Sequence, residues 1–216
     1  MSSTTCPLLS NVSVHAAQFP NPPADVTASG SLAQVVLSGG CFWCTEAVYR
    51  QLHGVLTVTS GYAGDSLETA NYAAVSTGNT NHAEAVRIEY DPSRISFGAI
   101  LKVFFSTAHN PTQLNRQEDD VGRHYRSTIF YETDDQRKAA QAYIAEIDQA
   151  KVFENPIVTT LEPLTGFYPA EPELQNYVAL NPEDPYVKKN SLPKVRRTQQ
   201  WFPDALTTSS TPPPRA

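Results

Sequence analysis

A chain of 216 residues, 40% of them hydrophobic, suffices for one domain of about 150–200 residues with tails. Its 22 acidic and 16 basic side chains give a formal charge of −6, which favours solubility and excludes the basic footprint of a nucleic-acid binder. No segment approaches the roughly 20 apolar residues of a membrane span, and the first 30 residues lack both Lys or Arg and the apolar run of a secretory signal. A cytoplasmic monomer with neither a nucleic-acid nor a membrane partner is therefore expected.

Residues 1–30, rich in Ser, Thr, Pro, Asn and Ala, read as a disordered or loosely attached arm, with Cys6 as a non-functional thiol within it. The folded body spans 31–203, and 204–216 reads as a flexible tail. Gln34 to Leu37 suits a short buried strand, punctuated by Gly39-Gly40. Phe42 to Leu52 suits a helix beginning near Cys41, and the β-branched run from Val55 to Tyr62 a strand that ends in a glycine-rich loop. Glu84 to Tyr90 alternates and stops at Asp91-Pro92, a third strand. Phe97 to Ala108 has helical spacing, Ser127 to Tyr131 is a strand, Thr133 to Lys151 a helix, and Ile157 to Leu161 a further strand. Long loops with one short helix are expected from about Tyr168 to Pro203. Strands and helices alternating around a central sheet give an α/β or α+β class in two layers, without internal repeats.

The chemistry concentrates in Gly39-Gly40-Cys41-Phe42-Trp43-Cys44-Thr45-Glu46. Three cysteines make no structural disulfide framework, but two of them three residues apart in a reducing compartment point to redox chemistry or a metal. Zinc wants four ligands, commonly as two pairs, and no second Cys pair exists, so no metal is expected. A free thiol, with a pKa of about 8.5, is mostly protonated near neutral pH; a strand-to-helix junction favours its thiolate through the orphan N–H groups and the helix dipole. Cys44 is close enough to Cys41 for a disulfide if the first helical turn adjusts, which suits a transient bond.

Gly40-Cys41-Phe42-Trp43 with Glu46 resembles the signature of the A-type peptide methionine sulfoxide reductases. Ser60-Gly61-Tyr62-Ala63-Gly64, Tyr72 with Val75 and Gly78, His82-Ala83-Glu84-Ala85-Val86, Tyr90-Asp91-Pro92, Arg116-Gln117 through Asp120, Gly122 and Tyr125-Arg126-Ser127 stand in that family's order, and Phe167-Tyr168 with Gln175 and Tyr177 match more loosely. The resemblance covers about residues 33–203. It implies an α+β fold, a two-layer sandwich with a central mixed sheet, a ferredoxin-like core and long C-terminal loops. It implies reduction of the S epimer of methionine sulfoxide, free or in proteins. Carried over residue by residue, Cys41 attacks the sulfoxide sulfur, Glu84 protonates the leaving oxygen, Tyr72 and Tyr125 hydrogen-bond that oxygen, Phe42 and Trp43 form the apolar wall for the substrate methyl group, and Asp120 orients the substrate. Cys41 is left as a sulfenic acid, which condenses with a nearby thiol; Cys44 is the thiol fixed nearby. The disulfide is then reopened by an external dithiol, for which the resemblance implies thioredoxin, with dithiothreitol as substitute in vitro and no bound cofactor.

The chain departs from the family in two places. No cysteine follows Cys44, whereas some relatives carry resolving cysteines near the C-terminus, and a His-Gln pair often seen late in the family stands as Leu174-Gln175. Each residue also has a plainer reading: Glu84 as a solvent-face carboxylate, Tyr72 and Tyr125 as half-buried aromatics, Asp120 as part of a solvated acidic turn, Phe42 and Trp43 as core, His82 as a structural group bonding a loop carbonyl. At the level of function the alternatives are a general dithiol–disulfide oxidoreductase, a thiol hydrolase and a non-catalytic binding protein.

Overall fold

The computed structural model describes residues 16–26 and 30–207, so Cys6 lies outside the described residues. In chain order the elements are β1 (Ala33–Gly39), α1 (Phe42–Tyr49), β2 (Val55–Ala63), α2 (Tyr72–Val75), β3 (Ala83–Tyr90), α3 (Phe97–Val103), β4 (Arg116–Gln117), β5 (Asp120–Val121), β6 (Ser127–Tyr131), α4 (Asp134–Gln149), β7 (Thr160–Pro163), β8 (Phe167–Pro169), α5 (Tyr177–Leu180) and α6 (Leu192–Trp201). Short π-helical turns occupy Phe104–Ala108 and Val187–Ser191.

The class is mixed α+β around one mixed sheet. Six strands run in the order β7-β6-β1-β3-β2-β8, antiparallel throughout except for the parallel pair β6–β7, and β4 and β5 form a separate small hairpin. β1 is central and paired on both edges, which is why its run Val35-Val36-Leu37 is buried on both faces. The period of two divides the strands cleanly. Val35, Leu37, Val86, Ile88 and Ile129 meet the helices in the main core, while Val36, Ala63, Ala83, Ala85 and Phe130 form a smaller cluster on the opposite face. Glu84 shares its parity with Val86 and Ile88 and so points to the helix face.

Local chemistry sets the helix starts. Thr133 accepts the Gln136 N–H at 3.2 Å at the head of α4, whose first turn carries Asp134 and Asp135 beside the positive end of the dipole. Ser96 caps α3 through the Ala99 N–H at 3.2 Å, and Asn71 caps α2 through Ala74 at 3.0 Å.

Several predicted elements shift. β7 starts at Thr160, three residues after the predicted Ile157, because the Val158 N–H donates to the Pro111 carbonyl instead of to the ladder. The loops predicted for 168–203 instead hold β8, α5, a π-helical turn and the ten-residue α6. Part of the predicted loose arm is packed: Phe19 is buried edge-on against Phe153 at 5.6 Å, Pro20 accepts the Tyr143 hydroxyl, and Asp25 accepts the Gly98 N–H. Beyond 203 the chain stays attached as far as Thr207, whose N–H donates to the Gln51 carbonyl at 2.9 Å.

Candidate active site

β1 delivers the chain to Gly39-Gly40, and Cys41 is the residue from which α1 springs. Gly40 has φ +88°, and a Cβ there would lie 2.4 Å from the Gln117 side chain, so only glycine makes the turn. Gln117 is itself held by two hydrogen bonds with the Asn110 backbone, at 2.7 and 2.9 Å. The Cys41 carbonyl accepts the Cys44 N–H at 3.1 Å, opening the helix, while its thiol takes no part in capping. That thiol and the Cys44 thiol act electrostatically on one another, and both cysteines are free. Both cysteines are buried, Cys41 keeping 6% of its surface exposed against 1% for Cys44, so Cys41 is the less enclosed of the two.

Glu84 lies opposite Tyr62 in the β2–β3 ladder, 3% exposed, and accepts the Phe42 N–H at 3.1 Å. That N–H belongs to the first turn of α1, where no backbone acceptor exists. Burial pushes the Glu84 carboxyl up to about 8 against the opposing Phe42 hydrogen bond, helped by the charges of Asp120 and Cys44, so at neutral pH the group carries its proton. Tyr125 and Tyr72 border the same space. Burial raises both hydroxyls first, and the charges of Glu84, Cys41 and Asp120 add to it. Asp120 accepts the Tyr186 hydroxyl at 2.5 Å, and Tyr186 also lies within hydrogen-bonding range of Cys41.

The two thiols behave as one acid with two sites. Cys41 is held well above the ordinary thiol range by burial first, then by the hydrogen bond and charge of Cys44 and the charge of Glu84, with Tyr186 acting weakly the other way. Cys44 is drawn down to about 6 by the hydrogen bond from Cys41, by Lys194 and by Ser191, against burial and Asp120. Burial, Cys44 and Glu84 thus disfavour the thiolate that the sequence assigns to Cys41, while the ammonium of Lys194 and the Ser191 hydroxyl favour one on Cys44.

Phe42 is fully buried against Tyr62, with ring centroids 5.8 Å apart. Trp43 is half-buried, stacked by Tyr177 at 3.7 Å and met edge-on by Tyr186 at 5.9 Å. The stacking partner is anchored through Glu46, whose buried carboxylate receives the Asn176 N–H at 2.9 Å on both oxygens. The eight residues singled out from the sequence thus lie around one spot, the start of α1. Tyr186, Ser191 and the Glu46–Asn176 link escape the sequence because their partners are remote in the chain and their segment has no apolar period to flag it. His82 bonds the Ser66 carbonyl at 2.9 Å, the structural role expected of it, and Gln175 bridges the Ser60 and Ala170 backbones. Among the described residues no group of three or more His, Cys, Asp or Glu is placed to hold a metal ion.

Two free thiols at the head of one helix and a carboxyl that keeps its proton at neutral pH together define a thiol-dependent redox enzyme. The sequence narrows the class: residues 33–205 match the peptide methionine sulfoxide reductase family, and the chain belongs to that family. The chain is 46% identical to peptide methionine sulfoxide reductase MsrA 2 of Synechocystis sp. over 188 residues, 87% of each chain. It is 48% identical to the MsrA 2 of Mesorhizobium japonicum over 179 residues, 83% of this chain and 92% of that one. Among solved structures it is similar to reduced Mxr1 from Saccharomyces cerevisiae, with TM-score 0.67 and 28% identity over 78% of this chain and 96% of that one. It is similar also to methionine sulfoxide reductase A of Corynebacterium diphtheriae, with TM-score 0.61 and 28% identity over 85% of this chain and 89% of that one.

Proposed function

We propose that the chain reduces the S epimer of methionine sulfoxide, free and within oxidised proteins, and that one observation carries the mechanism: at the head of α1 the Cys41 thiol has a second thiol for a neighbour, and the protonated Glu84 accepts the N–H of the very next residue. Cys41 attacks the sulfoxide sulfur as its thiolate. Glu84 supplies a proton to the oxygen, a poor leaving group until protonated. Tyr72 and Tyr125 steady the developing charge without ionising, since both hydroxyls are held above their usual range. Trp43 and Phe42 supply the apolar wall, and Asp120 acts on the substrate through the side of the site it shares with Tyr186.

The products of this step are methionine and a sulfenic acid on Cys41. Cys44 then displaces the sulfenic oxygen as water, forming the Cys41–Cys44 disulfide. An external dithiol reopens it by exchange; thioredoxin is the proposed donor, with dithiothreitol as its substitute in vitro. The scaffold we infer is a ferredoxin-like core in two layers, supported by the antiparallel order β6-β1-β3-β2 with α1 and α3 as the crossovers. The working state we infer is a cytoplasmic monomer.

Turnover of S-methionine sulfoxide with dithiothreitol tests the activity, and Cys41→Ser tests its nucleophile. The variant is expected to retain less than about one hundredth of wild-type turnover, in line with loss of a covalent nucleophile. Activity well above that level removes Cys41 from the role, and reduction of protein disulfides without any sulfoxide turnover makes the chain a general oxidoreductase instead.

A further inference from the structure

Ser191 ends a π-helical turn inside one continuous helical stretch from Pro185 to Trp201. Pro193 explains the turn: it lacks an N–H and cannot sit in an α-helical interior without freeing a carbonyl one turn back, and the wider π turn absorbs the mismatch. Such turns concentrate at functional sites. Ser191 is fully buried, and although it stands at the head of α6 its hydroxyl caps nothing. It points across to α1, 3.1 Å from the Cys44 sulfur. Lys194, three residues further along α6, shares that helix face, and its charge acts on Cys44.

We propose that Ser191, supported by Lys194, is a positioning residue for the disulfide-forming step, holding the Cys44 sulfur aimed and ready to attack the sulfenic acid on Cys41. The proposal rests on the reading of Cys44 as the resolving thiol. In the reduced state the Ser191 hydroxyl is the hydrogen-bond partner that the geometry gives the Cys44 sulfur. Once Cys41 is a sulfenic acid its O–H belongs to the group that must leave, whereas the Ser191 hydroxyl and the Lys194 ammonium stand clear of the breaking S–O bond and stabilise an anion on Cys44. The other charged and titratable groups acting on Cys44 are Cys41, Glu84, Asp120 and Tyr186, and none of them is a cation. The step balances as Cys41–S–OH plus Cys44–S⁻ plus one proton giving Cys41–S–S–Cys44 plus water. The S–O bond breaks, Cys44 is oxidised, the Cys41 sulfur is reduced, and the proton leaves on the departing oxygen.

The test is a rapid-quench single turnover of the full chain with one equivalent of S-methionine sulfoxide, following methionine release and disulfide formation separately across pH. Loss of the Ser191 hydroxyl that raises the Cys44 thiol by about one pH unit cuts its thiolate fraction about tenfold below its midpoint. A Brønsted slope of about 0.4–0.5 returns about threefold in reactivity. Ser191→Ala should therefore close the disulfide about threefold more slowly at acid pH and about threefold faster at alkaline pH, with methionine release unchanged. Ser191→Thr, which keeps the hydroxyl, should follow the wild type, and Lys194→Gln should cross over in the same sense. A merely structural role would slow closure equally at every pH. Uniform slowing, or unchanged closure, in Ser191→Ala overturns the proposal, and the same behaviour in Lys194→Gln overturns it should the alanine variant not fold. A wild-type product without a Cys41–Cys44 bond overturns the resolving role itself, and the proposal with it.

Discussion

Glu84 shows how much of the chemistry one side chain carries and what it costs the fold. Unfolded, its carboxyl ionises near 4.5; folded, near 8. Between those values the native state holds a proton that the unfolded chain has released, so stability falls as pH rises through the interval. At about 1.4 kcal/mol per pH unit the penalty reaches an upper limit of about 5 kcal/mol above pH 8. Glu84→Gln keeps an acceptor for the Phe42 N–H and removes the ionisation. It should lose about a hundred- to ten-thousandfold in turnover, the usual worth of general acid catalysis, yet unfold at higher denaturant than wild type at pH 9 and not at pH 4. In the wild type, turnover should decline as pH passes about 8 and the proton is lost. A rate that rises steadily through pH 9 would deny Glu84 the role of acid. At Cys44 the coupling runs the other way. Its hydrogen bond and charge both hold Cys41 up, so Cys44→Ser relieves Cys41 and should leave the single-turnover release of methionine intact. The same variant should recycle slowly with thioredoxin; normal recycling would mean that another thiol resolves.

Elements place these side chains, and the sequence discloses them unevenly. β1 is legible from its apolar run, β2 from its β-branched residues, β3 from its alternation and α4 from the helical spacing of its apolar residues, and Thr133 announces the start of α4. The run from Phe97 to Ala108 has the right spacing, yet its second half is a π-helical turn, where Ser106 and Thr107 hydroxyls bond back to the Lys102 and Val103 carbonyls; no apolar pattern encodes that. α6 escapes altogether, since Thr198 is its one buried residue and Pro193 reads as a helix breaker. The candidate site residues are legible as motifs, whereas their partners Tyr186, Ser191 and Asn176 are fixed only by packing over more than 60 positions of chain. The Glu46–Asn176 link tests what that packing contributes. Glu46→Gln leaves one oxygen to receive the Asn176 N–H and turns the other into a buried NH2 facing that N–H, and a buried donor left unsatisfied costs about 1–3 kcal/mol. With the link loosened, Tyr177 is less firmly stacked on Trp43, so KM should rise several-fold with kcat little changed. An unaltered KM beside a lowered stability would make the link structural alone.

At the scale of the molecule, the apolar face of the sheet and the reactive start of α1 are served by different parts of the chain. α3 and α4 contribute no side chain to the site; they close the core, and residues 16–26 close over them in turn. Phe19 sits 3% exposed against Phe153, Tyr143 donates to the Pro20 carbonyl at 3.1 Å, Lys102 to Asn21 at 2.9 Å, and the Gly98 N–H to Asp25 at 3.1 Å. Gly98 has no side chain to keep Pro22 away: a Cβ there would lie 2.8 Å from the proline ring. This strap buries apolar surface against α3 and α4 and supplies none of the groups that shift Cys41 or Cys44, so stability and chemistry should separate when it is disturbed. Removing a large buried aromatic ring leaves a cavity and costs about 3–5 kcal/mol. For a domain of this size each kcal/mol lowers Tm by about 2–4 °C, so Phe19→Ala should melt roughly 6–20 °C below wild type. At temperatures where both proteins are folded, kcat and KM should coincide. Equal Tm values would show that the strap is not part of the cooperative unit, while a changed kcat at full folding would show that it reaches the site through α3.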